Sequence, residues 1–511
     1  MGIVKTASMI LILTVIGRFL GFIRTIYMSD YYGTGMEADA YFTALTIPMT
    51  LFLVVPGALN AVLIPTMRGL LEKADTNRAK LLYNQLLIII TFLFIALTAL
   101  GIWASPWIIS ILGLTGAKGA LATELLRWMW PSAIFIGLAG VWTSFCNAHQ
   151  HFFTPTLGSV ANGAIVILAF YLFVPIWGID GIAIGTTLGF VATALVMLPT
   201  VRSFGYQLKT GTRFQNDEIL RSMGERVVPI LIGSAISQAT TFLERFLAND
   251  LGDGKVAALS YAKQIAQLPT VFFVAAFTLP LFPLLASYVK RGELGQMKAV
   301  LEKGIGYLFI LLLPMTVGMI LYGEQIIRLF FVREGGNFNE WDVSLTTWGL
   351  VMYSFGIFAL AAQDMLTRAF YALENTRTPV IIGAFGIGLY LLTAIISTPY
   401  LDHGGVALSY SISVCFQAVV LYLFLWKKVG QPLTKSFWVT SIKVLIASAL
   451  MGAAIIGGES LLLGLPVWLH LLIGVTVGAG IYLLTLLVLK EPLLKEIVAK
   501  LLRKKQASGA S

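Results

Sequence analysis

The sequence predicts an all-α polytopic membrane protein with about 14 transmembrane helices. Of its 511 residues, 58% are hydrophobic and only 12% are charged, and the mean hydropathy is +0.85. A soluble domain usually carries about twice that charged fraction. Apolar runs of 18 or more residues recur between short polar breaks, and each is long enough to cross a bilayer core of roughly 30 Å. No extended soluble domain fits beside them.

The predicted spans follow the chain from end to end with short connections. Each begins and ends where charged, glycine or proline residues interrupt an apolar run. They lie near residues 5–28, 38–66, 82–104, 121–147, 154–176, 180–201, 227–249, 255–288, 303–323, 344–371, 378–399, 404–426, 437–457 and 466–489. The first run is predicted to be a retained helix, because no small-residue cleavage site follows it.

Loop charges alternate along the chain and predict the orientation in the membrane. Loops after even-numbered spans are rich in lysine and arginine, as is the tail at 491–511, and the net charge is +10. Loops after odd-numbered spans are mainly acidic and contain few basic residues: Lys118, Lys255, Arg328 and Arg333. The positive-inside rule then places both termini in the cytoplasm.

An internal repeat divides the predicted spans into two lobes. Gly33-Thr34-Gly35 recurs as Gly252-Asp253-Gly254, and Gly181-Ile182-Ala183 recurs as Gly405-Val406-Ala407, at offsets of about 220 residues. An offset of six spans preserves orientation, so this is a parallel repeat around a central cavity. The predicted divisions are an N-lobe at 1–205, a linker at 206–226, a C-lobe at 227–428, two further helices at 437–490 and the tail at 491–511.

Charged and polar residues within the apolar runs are the candidate cavity residues. Intramembrane charges are costly and usually line a substrate path. The candidates are Arg18, Arg24, Asp39, Glu244, Arg245, Lys263 and Gln264. Because cations predominate, the set favours an anionic cargo, whose phosphate oxygens guanidinium groups bind through paired hydrogen bonds.

Each candidate also has a structural explanation that the sequence leaves open. Arg18 is six residues from Arg24, so one of the two is free to extend towards the membrane surface. Glu244 and Arg245 fit an interfacial ion pair, and Lys263 fits an anchor near a helix start. Asp39 fits the first turn of the second helix, where an acid complements the helix dipole.

Small residues and prolines predict packing and bending positions. Gly17 and Gly21 have the GxxxG spacing that permits close helix contact. Pro48 and Pro269 occupy matched places in the second and eighth spans and predict kinks there. Cys146 and Cys415 are far apart in apolar segments, so neither a disulfide nor a metal site is expected. No Walker A motif is present, and we expect a transporter and not an enzyme.

Several segments resemble the MurJ/MviN family of the multidrug/oligosaccharidyl-lipid/polysaccharide exporter superfamily. They are GRFLGFIR, YYGTGMEADAYFTALTIP, FLERFLANDLGDGKVAALSYAKQIAQLP, GEQIIRLFFVREGGNF and RAFYALENTRTPV. The resemblance runs in order through both lobes. It implies a lipid II flippase of the bacterial cytoplasmic (inner) membrane, which moves the undecaprenyl-pyrophosphate-linked peptidoglycan precursor to the outer leaflet by alternating access.

The resemblance implies further properties. Arg18, Arg24 and Asp39 match residues on which the family relies, and helices 13 and 14 are expected to form a groove for the lipid tail. No cofactor is expected, and the driving force would be the membrane potential or an ion gradient. The expected partners are lipid II, membrane lipids and the cell-wall synthesis machinery, with no nucleic acid, for a protein that we expect to be a monomer.

The chain departs from the family pattern at residues that the family uses as charges. Thr25 stands where the family has an acid, and Phe52, Leu53 and Gln264 stand where it has arginines. These departures leave two alternative functions open. One is a flippase for another polyprenyl-linked glycan, and the other is a drug or cation exporter of the same superfamily. A scaffold that recruits envelope-synthesis enzymes is a third hypothesis, outside transport.

Overall fold

The structure is a computed structural model that describes residues 3–206, 218–462, 464–494 and 496. Side chains are described throughout these ranges except at 3–8 and 271–280. Helices make up most of the described residues. By the packing of its backbone the chain forms two compact units, one of Met1–Ala257 with Gly335–Phe338, and the other of Ala258–Glu334 with Asn339–Ser511.

The first unit contains ten helices among its described residues. They are α1 (Ile3–Tyr32), α2 (Met36–Glu72), α3 (Thr76–Ile111), α4 (Gly116–Met129), α5 (Ser132–Ala148), α6 (Phe153–Leu172), α7 (Val174–Trp177), α8 (Ile179–Ser203), α9 (Glu218–Ser237) and α10 (Ala239–Asp250). The helix that follows, α11 (Lys255–Lys290), begins in this unit and continues into the second.

The second unit continues with eight helices in the part of the chain that the structure describes. They are α12 (Leu294–Leu321), α13 (Gly323–Phe331), α14 (Glu340–Ser354), α15 (Ile357–Ala372), α16 (Arg377–Leu401), α17 (His403–Val429), α18 (Lys435–Leu462) and α19 (Val467–Val488). Every predicted span falls on one of these helices or on a pair of them. The all-α polytopic fold predicted from the sequence is therefore confirmed.

Within the described residues, eleven helices are long and apolar enough to cross a membrane, and two bent pairs bring the number to thirteen. The bent pairs are α4 with α5, at 42°, and α14 with α15, at 43°. The predicted spans at 121–147 and 344–371 each fall on one of these pairs. The eighth predicted span lies on α11, and the side chains that are not described, at 271–280, belong to this helix.

The two bends occupy corresponding places in the repeat, one within the fourth predicted span and the other within the tenth. At the first, Trp130 turns its indole Nε1–H to Ser105 Oγ at 3.1 Å, and Pro131 follows. At the second, a Cβ on Gly356 would lie 2.9 Å from Ser411 Oγ, so the backbone there packs directly on α17. By contrast, α2 continues through Pro48 and α11 continues through Pro269 without a break in the helix.

Small residues allow the helices of the first unit to approach closely. A Cβ on Gly185 would overlap Ala169, which brings α8 against α6, and one on Gly163 would lie 2.7 Å from Leu20 of α1. Gly17 lies against α6, because a Cβ there would be 3.0 Å from Ser159 Oγ, whereas Gly21 has no described atom within 4 Å of that position. Such contacts replace hydrophobic burial as the basis of helix association in lipid.

Candidate functional site

The most strongly connected charged group of the first unit is the carboxylate of Asp39, in the first turn of α2. Its side chain is completely buried. Lys118 Nζ lies 2.6 Å from Asp39 Oδ2, the backbone N–H of Gly254 donates to the same oxygen at 2.7 Å, and the N–H of Ala257 donates to Oδ1 at 2.7 Å. Both carboxylate oxygens are therefore engaged. We call Asp39, Lys118, Asp253, Gly254 and Ala257 the Asp39 cluster.

Lys118 of α4 is the cation of this cluster. Its side chain is 10% exposed, and its Nζ also lies 3.2 Å from Asp253 Oδ1, whose side chain is 66% exposed. A buried charge is tolerated only when a partner and hydrogen bonds replace the lost water. Lys118 has one buried and one exposed carboxylate for this purpose, so the ion pair joins α4 to the start of α2.

Asp39 also caps a helix other than its own. The two amides that donate to it are those of Gly254, immediately before α11, and of Ala257 in the first turn of α11, where four N–H groups have no partner within the helix. A carboxylate at such an end satisfies these donors and interacts favourably with the positive pole of the helix dipole. Asp39 thus lies in the first turn of α2, as the sequence suggested, and caps α11 as well.

The turn before α11 requires glycine at Gly254. Its φ is +85°, and a Cβ at this position would lie 2.6 Å from the carbonyl oxygen of Thr34. An L-residue is disfavoured by that backbone conformation, and any side chain would collide with Thr34. The Gly33–Gly35 turn and its repeat counterpart Gly252–Gly254, found as a sequence pattern, therefore pack directly on each other.

Residues of α10 extend this connected region. Arg245 donates from Nε to Thr46 Oγ1 at 3.3 Å and from Nη1 to the carbonyl of Val256 at 3.3 Å. Asn249 donates to the carbonyl of Leu112 at 2.7 Å. Glu244 is completely buried on the same helix. Through its bond to Val256, Arg245 thus contacts the residue beside Ala257, whose amide Asp39 caps.

Arg18 and Arg24 are placed differently. Arg18 is exposed and Arg24 is half-buried, and neither makes a hydrogen bond or an ion pair to any described residue. Thr25 is buried and donates to the carbonyl of Gly21 at 3.2 Å. Their predicted role as cargo contacts stays a prediction. The two arginines retain their full hydrogen-bonding capacity for a ligand.

Phe52 and Leu53 of α2 stand where the family has arginines, and both have apolar side chains. The ring of Phe52 is half-buried and lies 5.3 Å from that of Phe190, and Leu53 is 59% exposed. Neither side chain offers a hydrogen bond to an anion.

In the second unit, Lys263 of α11 lies among aromatic rings. Its Nζ is 4.8 Å from the ring centre of Tyr410 and 5.8 Å from that of Tyr353, distances at which a cation and an aromatic ring attract each other. Gln264 beside it is half-buried. Lys263, Gln267, Tyr353, Gly356 and Tyr410 line a small cavity at the bend between α14 and α15.

The sequence did not point to two polar features of the structure. Lys118 was counted only as one of the few basic residues in the acidic loops, and that scarcity was the available signal. Asp364 and Arg368 form an ion pair on α15, with Nε and Oδ2 3.0 Å apart and both side chains partly exposed. Their i, i+4 spacing is the signal that could have found them.

An apolar groove runs along the second unit between α12, α18 and α19, with Pro269 of α11 at its side. It has a volume of about 480 Å³ and is lined almost entirely by carbon atoms. The lining includes Ile310, Pro314, Met451, Ile455, Gly478, Tyr482 and Leu494. Its walls include the two helices at which the sequence resemblance placed a lipid-tail groove.

Comparisons with known proteins agree with this architecture. The family model described as lipid II flippase MurJ matches residues 28–476. A probable lipid II flippase MurJ of Buchnera aphidicola is 25% identical over 460 residues, which cover 88% of this chain and 89% of the relative. The lipid II flippase MurJ of Burkholderia cenocepacia is 24% identical over 459 residues, with 86% and 87% covered.

Solved structures show the same fold. One of the lipid II flippase MurJ in an inward closed conformation superposes with a TM-score of 0.77 at 22% identity, covering 93% of this chain and 97% of the other. An inward-facing multidrug resistance MATE transporter superposes with a TM-score of 0.70 at 17% identity, covering 83% and 98%. The family model spans most of the chain, and the chain therefore belongs to the MurJ family of lipid II flippases.

Proposed function

We propose that this chain is a lipid II flippase that moves the undecaprenyl-pyrophosphate-linked peptidoglycan precursor from the inner to the outer leaflet of the bacterial cytoplasmic membrane by alternating access. The observation that carries the proposal is the family match over residues 28–476. The cationic candidates support it, because a pyrophosphate needs guanidinium or ammonium partners.

In this proposal Arg18 and Arg24 are the first contacts for the pyrophosphate. Both side chains are without a polar partner among the described residues, so binding a phosphate breaks no existing bond. Arg245 and Lys263 supply further positive charge, and the amide of Gln264 supplies hydrogen-bond donors. Glu244, which is only an acceptor when ionised, would serve groups of the cargo other than its pyrophosphate. The lipid tail stays in an apolar environment, for which the groove of the second unit is suited.

We propose that the Asp39 cluster holds the transport path closed on its outer side. The acidic loops before α2 and α11 support this side, because the positive-inside rule predicts that such loops face outwards. Opening would then separate Asp39 from the amides of Gly254 and Ala257. The driving force, either the membrane potential or an ion gradient, would act on this equilibrium. Asp39 and Lys118 are the buried charges of the cluster.

The test is labelling of lipid II in the outer leaflet of bacteria that depend on this chain alone. Arg24→Ala should abolish labelling and growth while the protein remains inserted. Arg291→Ala, which removes an exposed arginine at the end of α11, is the matched control and should leave both unchanged. Normal labelling by Arg24→Ala would contradict the role of Arg24.

A second candidate is the transport of a different polyprenyl-pyrophosphate glycan. It is favoured by Phe52, Leu53 and Gln264, which replace arginines of the family pattern. The same cells distinguish the two candidates. If this chain does not restore outer-leaflet lipid II in a flippase-depleted host although it is inserted, but does restore a different lipid-linked glycan, the second candidate holds.

A further inference from the structure

One face of α11 carries a positive charge beside two amide side chains. Lys263, Gln264 and Gln267 lie within an arc of about 100° on this helix, and all three side chains are partly exposed. The residues between them, Ile265 and Ala266, are buried. The polar side chains thus share the face of this helical turn that is open to a ligand.

The ammonium group of Lys263 lies in a corner formed by two tyrosine rings. Its Nζ is 4.8 Å from the ring centre of Tyr410 and 5.8 Å from that of Tyr353. The two ring planes meet at 76°, with their centres 5.7 Å apart. At these distances the face of an aromatic ring attracts a cation, and a neutral ring leaves the positive charge in place. The rings therefore restrain the ammonium group without cancelling its charge.

The bend between α14 and α15 fixes the two rings relative to each other. Tyr353 lies in the last turn of α14 and Tyr410 lies on α17, next to Ser411. Ser411 Oγ donates to the carbonyl of Met352 at 2.7 Å and shares this hydrogen with the carbonyl of Tyr353 at 3.2 Å. A Cβ on Gly356 would lie 2.9 Å from Ser411 Oγ. The end of α14 is therefore bound to α17 at the position beside each ring.

The cavity at this corner is too small for the headgroup of a cargo. It is lined by Lys263, Gln267 and both tyrosines, and its volume is about 10 Å³, no more than one water molecule occupies. A pyrophosphate can therefore reach the ammonium group only from the partly exposed face of α11. The rings act on the ammonium from the other side.

A lysine benefits from such a restraint more than an arginine does. An arginine presents a planar fork of donors that matches a phosphate, whereas a lysine presents a point charge on a flexible four-carbon stem. Gln264 stands where the family has an arginine, so the charge at this turn of α11 is the ammonium of Lys263. Holding that group in place before the ligand arrives lowers the entropy cost of binding.

We propose that Tyr410 and Tyr353 are positioning residues, whose ring faces hold the Lys263 ammonium in place for the pyrophosphate of the cargo. This role rests on the proposed function, because it requires an anionic cargo. The two tyrosines touch the cation and not the cargo, so their effect on binding passes through Lys263. The ring face carries this effect, and the hydroxyl group is not needed for it.

Binding of undecaprenyl pyrophosphate to the purified full-length protein tests the proposal. Tyr410→Phe keeps the ring and should bind like the unmodified protein. Phenylalanine derivatives with one, two or three fluorine atoms at position 410 keep the ring shape, but each fluorine withdraws electron density from the ring face. Affinity should fall in equal logarithmic steps along this series, by about tenfold in total. Tyr410→Leu should cause a loss of similar size.

Two controls assign the effect to the cation and to this ring. In a Lys263→Gln background the fluorinated series should no longer change the affinity, because no ammonium faces the ring. Tyr371→Leu, at an exposed tyrosine of α15, should bind like the unmodified protein. An unchanged affinity along the fluorinated series overturns the positioning role. An equal decline in the Lys263→Gln background also overturns it, since the effect would then not pass through Lys263.

Failure of the proposed function and failure of the positioning role give different results. If the unmodified protein and every variant fail to bind undecaprenyl pyrophosphate, the proposed cargo is contradicted and the positioning role falls with it. If the unmodified protein binds and fluorination has no effect, only the positioning role is overturned. The fluorinated series keeps an aromatic ring at position 410, so it decides the question even if Tyr410→Leu fails to fold.

Discussion

Asp39→Asn is the most informative perturbation of the Asp39 cluster. The amide has the size of the carboxylate and keeps one oxygen acceptor, but it removes the negative charge beside Lys118, 2.6 Å away, and one of the two acceptors for Gly254 and Ala257. Lys118 is then left buried with only the exposed carboxylate of Asp253. Removing one partner of a buried pair costs about 3–5 kcal/mol.

The closed arrangement of α2, α4 and the start of α11 should lose this free energy relative to an open one. The lower limit of about 3 kcal/mol corresponds to roughly a 150-fold change in the equilibrium. Thr34→Cys places a thiol at the buried turn beside Gly254, in a background where Cys146 and Cys415 are replaced by alanine. Asp39→Asn should raise the maleimide labelling rate of this thiol at least about tenfold.

A double-mutant cycle separates the ion pair from the helix cap. Asp39→Asn, Lys118→Met and the double variant should give a coupling of about 1.5 kcal/mol or more, because the second change removes the charge that the first left alone. Asp250→Asn, at an exposed acid of α10, should not change labelling. A coupling below about 0.5 kcal/mol, together with unchanged labelling in Asp39→Asn, would refute the closing role of the cluster.

Three further outcomes follow from local geometry and are measured as shifts of the thermal unfolding midpoint in one detergent. Gly254→Ala should lower it more than Gly252→Ala, because both positions have positive φ but only the first collides with a neighbour; equal shifts would contradict the close approach to Thr34. Glu491→Ala should cost up to about 3 kcal/mol, since Lys443 loses its buried partner, whereas Lys303→Ala breaks an exposed pair and should cost under about 1 kcal/mol. His149 stacks on Phe204 with ring centres 4.3 Å apart, and burial lowers its pKa. Its contribution to the free energy of unfolding is therefore present above the unfolded pKa of about 6.5 and is lost as the pH falls through the lower folded pKa. His149→Phe should flatten this pH dependence of stability, and an unaltered pH profile would assign the dependence to another group.

The sequence predicted the helices well because hydrophobic length decides which segments cross a bilayer. It did not predict the bends. That near Trp130 is accompanied by the bond of its indole to Ser105 of α3, and that near Gly356 by contact with Ser411 of α17. Such contacts join residues far apart in the chain. Kinks were predicted at Pro48 of α2 and Pro269 of α11, whereas the local signal at the first bend was Pro131.

The candidate site was predicted only as a set of residues. Asp39 and Arg245 were named for their charge in an apolar chain, and both have specific polar contacts. The contact of Asp39 with the amides at the start of α11 could not be predicted from the sequence, because a cap between helices depends on tertiary packing. Lys118 was missed for the same reason, since its loop position suggested solvent.

The proposed closing role of Asp39 would affect how well the membrane retains its ions. One group serves Lys118 of α4 and two amides of α11 at once, so neither helix is released without weakening the hold on the other. The Asp39 cluster should therefore open in a single cooperative step and not gradually. A bacterium that maintains a potential across its membrane, where each charge moved through 100 mV is worth about 2.3 kcal/mol, would thereby avoid the half-open states through which ions escape.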